Sequence, residues 1–315
     1  MPAAYLLRRL AFSLPTLLLV AMAVFALIRL IPGDPIQLML GESADPAQVA
    51  EQRRALGLDQ PAVTQFARWL GEVGAGDLGR SIATGQAVLP LILERFQVSG
   101  LIVVVAVAIA VLFAVPLGLF AAWRQNRAGD LAVIGLATIL LSVPSFWLGL
   151  IMLLVFGLKL GWVPVVGYVP FATDAGRALL FVVLPVATLA LIETGVLVRM
   201  VRASAIEVLR LDYITHARAK GLSEFRVLWR HALPNAFAPT WTLIGLILGN
   251  LLGGIAVLET VFTLPGLGRL LVDAIFNRDY PVVQGCLLFI AVTYVLVNLA
   301  VDLLYPLFDP RIAIE

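Results

Sequence analysis

Residues 99–122 read SGLIVVVAVAIAVLFAVPLGLFAA, twenty-four positions without one charged side chain. As an α-helix, at 1.5 Å per residue, this stretch is about 36 Å long, enough to cross the ~30 Å hydrocarbon layer of a bilayer. Five more stretches have the same character, and the six expected spans lie near 10–30, 99–122, 131–156, 178–198, 237–258 and 285–306. Pro116, Pro144 and Pro185 fall in or near them, which neighbouring helices make tolerable by satisfying the freed carbonyls.

The rest of the composition agrees. Of 315 residues, 61% are hydrophobic and 13% charged, and mean hydropathy is +0.99. Soluble domains carry about 25% charged residues, and no aqueous fold buries such an apolar excess. The lone Cys286 excludes an intramolecular disulfide. Arg8 and Arg9 before an apolar run that contains Ala21-Met22-Ala23 resemble a secretory signal, but apolar residues continue to Ile28, too far for one.

Arginine and lysine placement orients the chain. With the N-terminus inside, inner segments hold Arg8, Arg9, Arg124, Arg127, the cluster from Arg199 to Arg230, and Arg311. Short outer loops hold Lys159, Arg177, Arg269 and Arg278. Both termini are therefore expected in the cytoplasm. The expected organisation is 1–98, a span plus an extracytoplasmic segment 31–98; 99–306, a five-helix core; and 307–315, a cytoplasmic tail. Within 31–98, helices are expected at 46–56, with Asp45 as N-cap, and at 63–70.

The cytoplasmic loop 201–236 carries the most pattern. Leu211, Ile214 and Ala217, then Leu222, Phe225 and Leu228 or Trp229, recur at helical spacing between Arg210, Arg218, Lys220, Arg226 and Arg230. Gly221 interrupts the pattern and Pro234 precedes the next span, so two short amphipathic helices are expected. By composition alone the loop reads as a positive-inside signal first, and then as an interfacial helix on anionic lipid or a docking surface for a soluble partner.

Absences narrow the chemistry. Lys159 and Lys220 are the only lysines and neither completes a G-K-[ST] phosphate loop. His216 and His231 stand 15 residues apart with no cysteine nearby, so no metal site is expected. Ser99, Ser142, Ser145 and Ser204 lack a histidine or acid at suggestive spacing, which leaves an intramembrane hydrolase without support. No enzyme is expected, and nothing calls for nucleic acid. Polar groups within the spans are Glu193, Asn250, Asn298 and Asp302, each either a pore-lining group or a side chain that reaches an interface or a neighbouring helix. Gly245, Gly249 and Gly253 form a small-residue stripe for close helix packing, within the chain or against a partner subunit.

The loop resembles the signature of the membrane subunits of binding-protein-dependent ABC importers, E-A-A-x-x-x-G-x9-I-x-L-P. Here Ala217, Gly221, Leu233 and Pro234 match, while Thr215, His216 and His231 stand where the family has glutamate, alanine and isoleucine. The resemblance is closer to the dipeptide, oligopeptide, nickel and glutathione permease branch, and it runs nearly end to end. It rests on Tyr5–Leu10, Arg29–Pro35, Leu56–Pro61, Gly76–Ser81, Ser142–Trp147, Asp212-Tyr213, Ala217–Leu222, Pro265–Arg269, Arg278–Pro281 and Asp309–Arg311.

The resemblance implies an all-α integral membrane protein of the type I importer permease fold, with six spans, in the bacterial inner membrane. It implies a coupling helix at about 212–221 that docks in a groove of a separate ATPase, through Tyr213, Thr215, His216, Ala217, Arg218, Lys220, Gly221 and Leu222, with Leu233 and Pro234 leading into the fifth span. It further implies a homologous second permease, two ATP-binding subunits that hold ATP and magnesium, an extracytoplasmic substrate-binding protein, and peptide cargo moved by alternating access. The rival reading, a secondary transporter or channel acting alone, requires internal repeats and further embedded acids.

Overall fold

The computed structural model describes residues 3–30 and 59–307, with isolated positions (45, 47, 50, 51 and 54) between them. Eleven helices are named here: α1 (Ala3–Leu30), α2 (Ala62–Gly74), α3 (Val88–Trp123), α4 (Ala128–Ser142), α5 (Ser145–Met152, continued as a π-helix to Lys159), α6 (Ala175–Leu209), α7 (Asp212–Ala219), α8 (Glu224–Gly254), α9 (Ala256–Val261), α10 (Leu267–Phe276) and α11 (Tyr280–Leu304). Among the described residues there is no strand, only an isolated bridge between Arg80 and Ala87. Among the described residues four helices, α3, α6, α8 and α11, are long and apolar enough to cross a membrane, and the bent pair α4–α5 makes a fifth if taken as one span. α1 is 28 residues long and apolar over Ala11–Ala26. Of the helix expected at 46–56 only positions 47, 50, 51 and 54 are described, all helical, and the Ala47 N–H donates to the Asp45 carboxylate at 3.0 Å; the expected tail 307–315 lies outside the described residues beyond Leu307.

The centre is a parallel pair. α3 and α6, 36 and 35 residues, pack along their length. Helices of that size extend about 54 Å, so both project well beyond a ~30 Å hydrocarbon layer. Small residues permit the approach: a Cβ on Gly118 would stand 2.7 Å from Val201. Apolar clusters stack along the pair, from Val98, Ile102 and Val182 at one end to Val115, Leu119, Val201 and Val208 at the other. α4, α8 and α11 pack around it, and Leu112, Phe113, Leu131 and Ile139 face outward, as expected of surfaces in contact with lipid or a partner.

Two expectations are corrected. The span expected at 131–156 is two helices bent by 97°. Pro144 causes the turn, because its ring pushes the preceding Val143 out of helical conformation, to φ −94°, ψ 124°. Pro116 and Pro185 sit inside continuous helices instead. The second short helix of the basic loop is also not separate. It begins at Glu224 and runs through a π-helical stretch, Val227–Ala232, directly into α8. Pro234 sits two positions past that stretch, where a wider turn makes room for its ring and its missing N–H.

α2 covers the expected 63–70 helix and extends to Gly74. It leans on α1 through Phe66, whose ring lies edge-on to Phe25 at 5.1 Å, and through Gln65, which accepts from Arg29 at 2.6 Å.

Candidate functional site: the basic loop and its anchors

α7 begins after an extended Leu211 and ends in a left-handed turn. Gly221 has φ +78°; its N–H donates to the Arg218 carbonyl at 2.9 Å, and the Leu222 N–H reaches the Ala217 carbonyl at 3.4 Å. This paired closure is a Schellman motif, whose central position strongly favours glycine. Ile214 and Ala217 form the buried face of α7, set against Leu119 of α3, Val201, Ala205 and Val208 of α6, and Val227, Ala232 and Ala236 of α8. Leu222 and Leu233 pack on the same cluster. Thr215, His216, Arg218 and Lys220 face outward, as do Phe225 and Trp229. Phe225 therefore lies off the inward stripe expected for it, since Val227 and Leu228 occupy that face once the segment joins α8.

Polar ties fix the knob to α8. The Tyr213 hydroxyl donates to the His231 carbonyl at 3.2 Å, and the Asn235 amide donates to the same oxygen at 3.1 Å. Arg218 and Glu224 form a two-pronged ion pair at 2.9 and 3.2 Å across the Gly221 turn. That pair is solvent-exposed and contributes little stability.

Near the same end, Asp130 is 1% exposed at the start of α4 and accepts a forked pair of bonds from Arg202 of α6, at 2.5 and 2.6 Å. The N–H of Asn126, a residue at φ +62°, completes its coordination at 2.8 Å. The far end holds two comparable centres. The Ser99 hydroxyl donates to Glu259 at 2.5 Å and accepts from the Leu267 N–H at 2.8 Å, while the Arg269 N–H donates to the other Glu259 oxygen at 2.8 Å. Glu259, 1% exposed, thus caps the N-terminus of α10 from below, where anions are favoured. Ser81, Ile82 and Ala83 converge on Asp279 in the same manner.

Two family descriptions cover the chain: the binding-protein-dependent transport system inner membrane component over residues 114–314, and the N-terminal part of such membrane components over residues 3–106. The chain belongs to this family. The permease is 44% identical to a putative peptide transport system permease protein of Brucella suis, over 98% of both chains. It is 39% identical to the di/tripeptide transport system permease protein DppB of Pseudomonas aeruginosa over 98% of each, and 42% identical to the glutathione transport system permease protein GsiC of Salmonella paratyphi A over 98% of each. It is a multi-pass inner-membrane component of a multi-part transport system and not in itself an enzyme.

The remaining sequence candidates are dispersed. In the permease the glycine stripe of α8 lies against α11 of the same chain: a Cβ on Gly245 would stand 2.5 Å from Val301, one on Gly249 would overlap the Tyr294 ring, and one on Gly253 would meet only Ile290, at 4.0 Å. Glu193 of α6 is 9% exposed and among the described residues has no ion pair. Asn250 faces outward from α8, the Asn298 amide donates to its own helix at Tyr294 (2.9 Å), and Asp302 is half-buried near the end of α11. Among the described residues no three His, Cys, Asp or Glu side chains gather to hold a metal ion.

Sequence reading missed Asp130, Glu259 and Asp279 as anchoring acids. Asp130 opens an apolar helix within reach of a basic cluster, and that is the pattern that flags it: an acid at membrane depth implies a named partner.

Proposed function

We propose that this permease is the pore-forming subunit of an ATP-driven, binding-protein-dependent importer for di- and oligopeptides. In this reading it has the type I importer permease fold with six spans (α1, α3, α4–α5, α6, α8 and α11) and both termini in the cytoplasm. It pairs with a homologous second permease, two ATPase subunits that carry ATP and magnesium, and an extracytoplasmic binding protein. The observation that carries the reading is the architecture of α7. One face, Ile214 and Ala217, is buried on three long helices, while Thr215, His216, Arg218 and Lys220 are presented outward. Peptide cargo is supported by relatives named for peptide transport at near-complete coverage.

The mechanism follows from rigidity. A groove on the ATPase grips the outward face of α7. When ATP draws the two ATPases together, α7 is displaced; its buried face and the Tyr213–His231 bond pass that displacement to α3, α6 and α8. ATP and loaded binding protein must favour different states of the permease, since a ligand with equal affinity for both shifts neither. The Gly221 closure keeps α7 compact enough to act as a knob, and Leu233 and Pro234 continue it into the fifth span.

The decisive experiment is gentle affinity purification from the native membrane with mass spectrometry of what accompanies the tagged chain. Two phosphate-loop ATPases and a second six-span subunit are expected. Intact, monodisperse chain without them sinks the importer reading and makes Glu193 and Asp302 the residues to test for ion coupling.

A further inference from the structure

At the end of the molecule opposite α7, a cleft of about 340 Å³ opens between α3 and α10, lined by Arg95, Pro265, Gly266, Arg269, Leu270 and Asp273. Its volume is at the small end of the range for ligand pockets, about 300–1,000 Å³. Two guanidinium groups and one carboxylate face it. Arg95 is half-buried; its Nε is sealed from solvent and has no hydrogen-bond partner, and among the described residues Arg95 forms no ion pair. That nitrogen is out of a ligand's reach, but the outer Nη edge of the same guanidinium is not sealed and makes no hydrogen bond among the described residues, so this edge is open to an acceptor from outside the chain.

The surroundings keep Arg95 unpaired. Glu94, the preceding residue of α3, is exposed and forms no ion pair with it among the described residues. Glu259 lies under Gly266, but it is 1% exposed and occupied by Ser99 and the Arg269 N–H. Gly266 leaves bare backbone at the wall, because a Cβ there would collide with the Glu259 carboxylate. Among the described residues Arg269 has one long pairing, 3.7 Å to Asp273 one turn on, with both side chains exposed. That contact is weak and gives way to a better acceptor.

The geometry points to a carboxylate site: the cleft takes the free C-terminal carboxylate of a short peptide, with Arg95 as its forked donor, Arg269 as second cation and Asp273 at the rim for the peptide's ammonium group. A guanidinium offers the planar pair of N–H groups that matches a carboxylate. The assignment rests on the peptide reading above and adds to it a place on this chain where cargo is recognised apart from the binding protein.

The test uses the purified importer complex in detergent, without nucleotide or binding protein, and thermal unfolding as the readout. Alanyl-alanine and alanyl-alanine amide are the probes, since stabilisation by a ligand reports its affinity. The free acid is expected to raise the midpoint saturably and the amide to leave it unmoved. Arg95→Gln is expected to weaken the free acid by at least about tenfold, the loss of one hydrogen bond to a charged group. Arg95→Lys, which keeps the charge without the fork, is expected to fall between, and Arg177→Gln to behave as wild type. If Arg95→Gln does not yield monodisperse complex, Arg95→Lys and Arg269→Gln carry the comparison. Equal shifts from acid and amide, no shift from either, or full retention by the folded Arg95 variants overturns the assignment. Uptake of alanyl-alanine into proteoliposomes with binding protein and ATP separates the two proposals. Uptake without a carboxylate-dependent shift removes the cleft assignment alone. A shift without uptake of any peptide removes the peptide reading and leaves a carboxylate site.

Discussion

The Asp279 carboxylate accepts from the Ser81 hydroxyl at 2.5 Å and from the Ile82 N–H at 3.1 Å, joining segments 198 residues apart in sequence. Asp279 is 4% exposed and stands at the entry to α11; Ser81 lies in the turn that leads into α3. One acid therefore sets where two long helices begin relative to each other.

Asp279→Ala orphans the Ser81 hydroxyl and the Ile82 amide together. At about 1–3 kcal/mol for a buried polar group left unpaired, the purified subunit is expected to unfold at clearly lower temperature, with Ser81→Ala milder because Asp279 keeps the Ile82 N–H although the Thr84 N–H loses its acceptor. Equal thermal midpoints for wild type and Asp279→Ala would show that the contact does not hold the helices.

Gly221→Val places a β-branched residue at φ +78°. Space is no obstacle, since no atom lies within 4 Å of a Cβ there; the cost is backbone strain, about 1–3 kcal/mol. Uptake is expected to be abolished with membrane insertion intact, while Gly221→Asn, which tolerates the left-handed region, retains much of it. Parallel assays of membrane-fraction yield and peptide uptake check this, and normal uptake by the valine variant counts against the coupling role of α7.

Arg202→Gln leaves Asp130 buried and uncompensated, a loss of about 3–5 kcal/mol when one partner of a buried pair is removed. Asp130→Asn combined with Arg202→Gln is expected to recover part of that loss, because two neutral amides replace an unpaired charge. A double-mutant cycle on thermal stability measures the coupling. Additive losses refute a direct interaction.

Gly249→Ala is expected to lower the yield of monodisperse protein sharply, since its Cβ would overlap the Tyr294 ring, whereas Gly253→Ala is expected to be neutral, with Ile290 at 4.0 Å. Overpacking of a tight contact costs about 1–3 kcal/mol. Size-exclusion profiles of the two variants, side by side, decide whether the stripe is graded in this way.

What the sequence made legible follows from which constraints are local. Bilayer thickness imposes a length on every span, so the apolar stretches stood out, and Gly221 marked its own turn because few residues adopt that conformation. Three prolines in similar surroundings behaved differently. Pro116 and Pro185 are absorbed by long helices, while Pro144 turns the chain by 97°. The π-helical stretch before Pro234 is likewise a compromise between a ring and a continuous helix that no periodicity announces. In the basic loop, Ile214 and Ala217 could be read from spacing, but Phe225 could not, because its side depends on the register in which the segment joins α8. Glu259 and Asp279 find side-chain partners far along the chain, and pairing at that separation leaves no mark in a single sequence, whereas Asp130 is marked by its place at the head of an apolar helix.

The parallel packing of α3 and α6 makes the two helices a lever. α7 bears on their last turns, around Leu119 and Val201, and Arg95 sits on α3 about 36 Å from Leu119 at 1.5 Å per residue. A push at one tip need not be relayed by a chain of side-chain switches. A rod that pivots carries it to the cleft directly, so the ATPase-facing and cargo-facing sites proposed above lie at the two ends of one solid object.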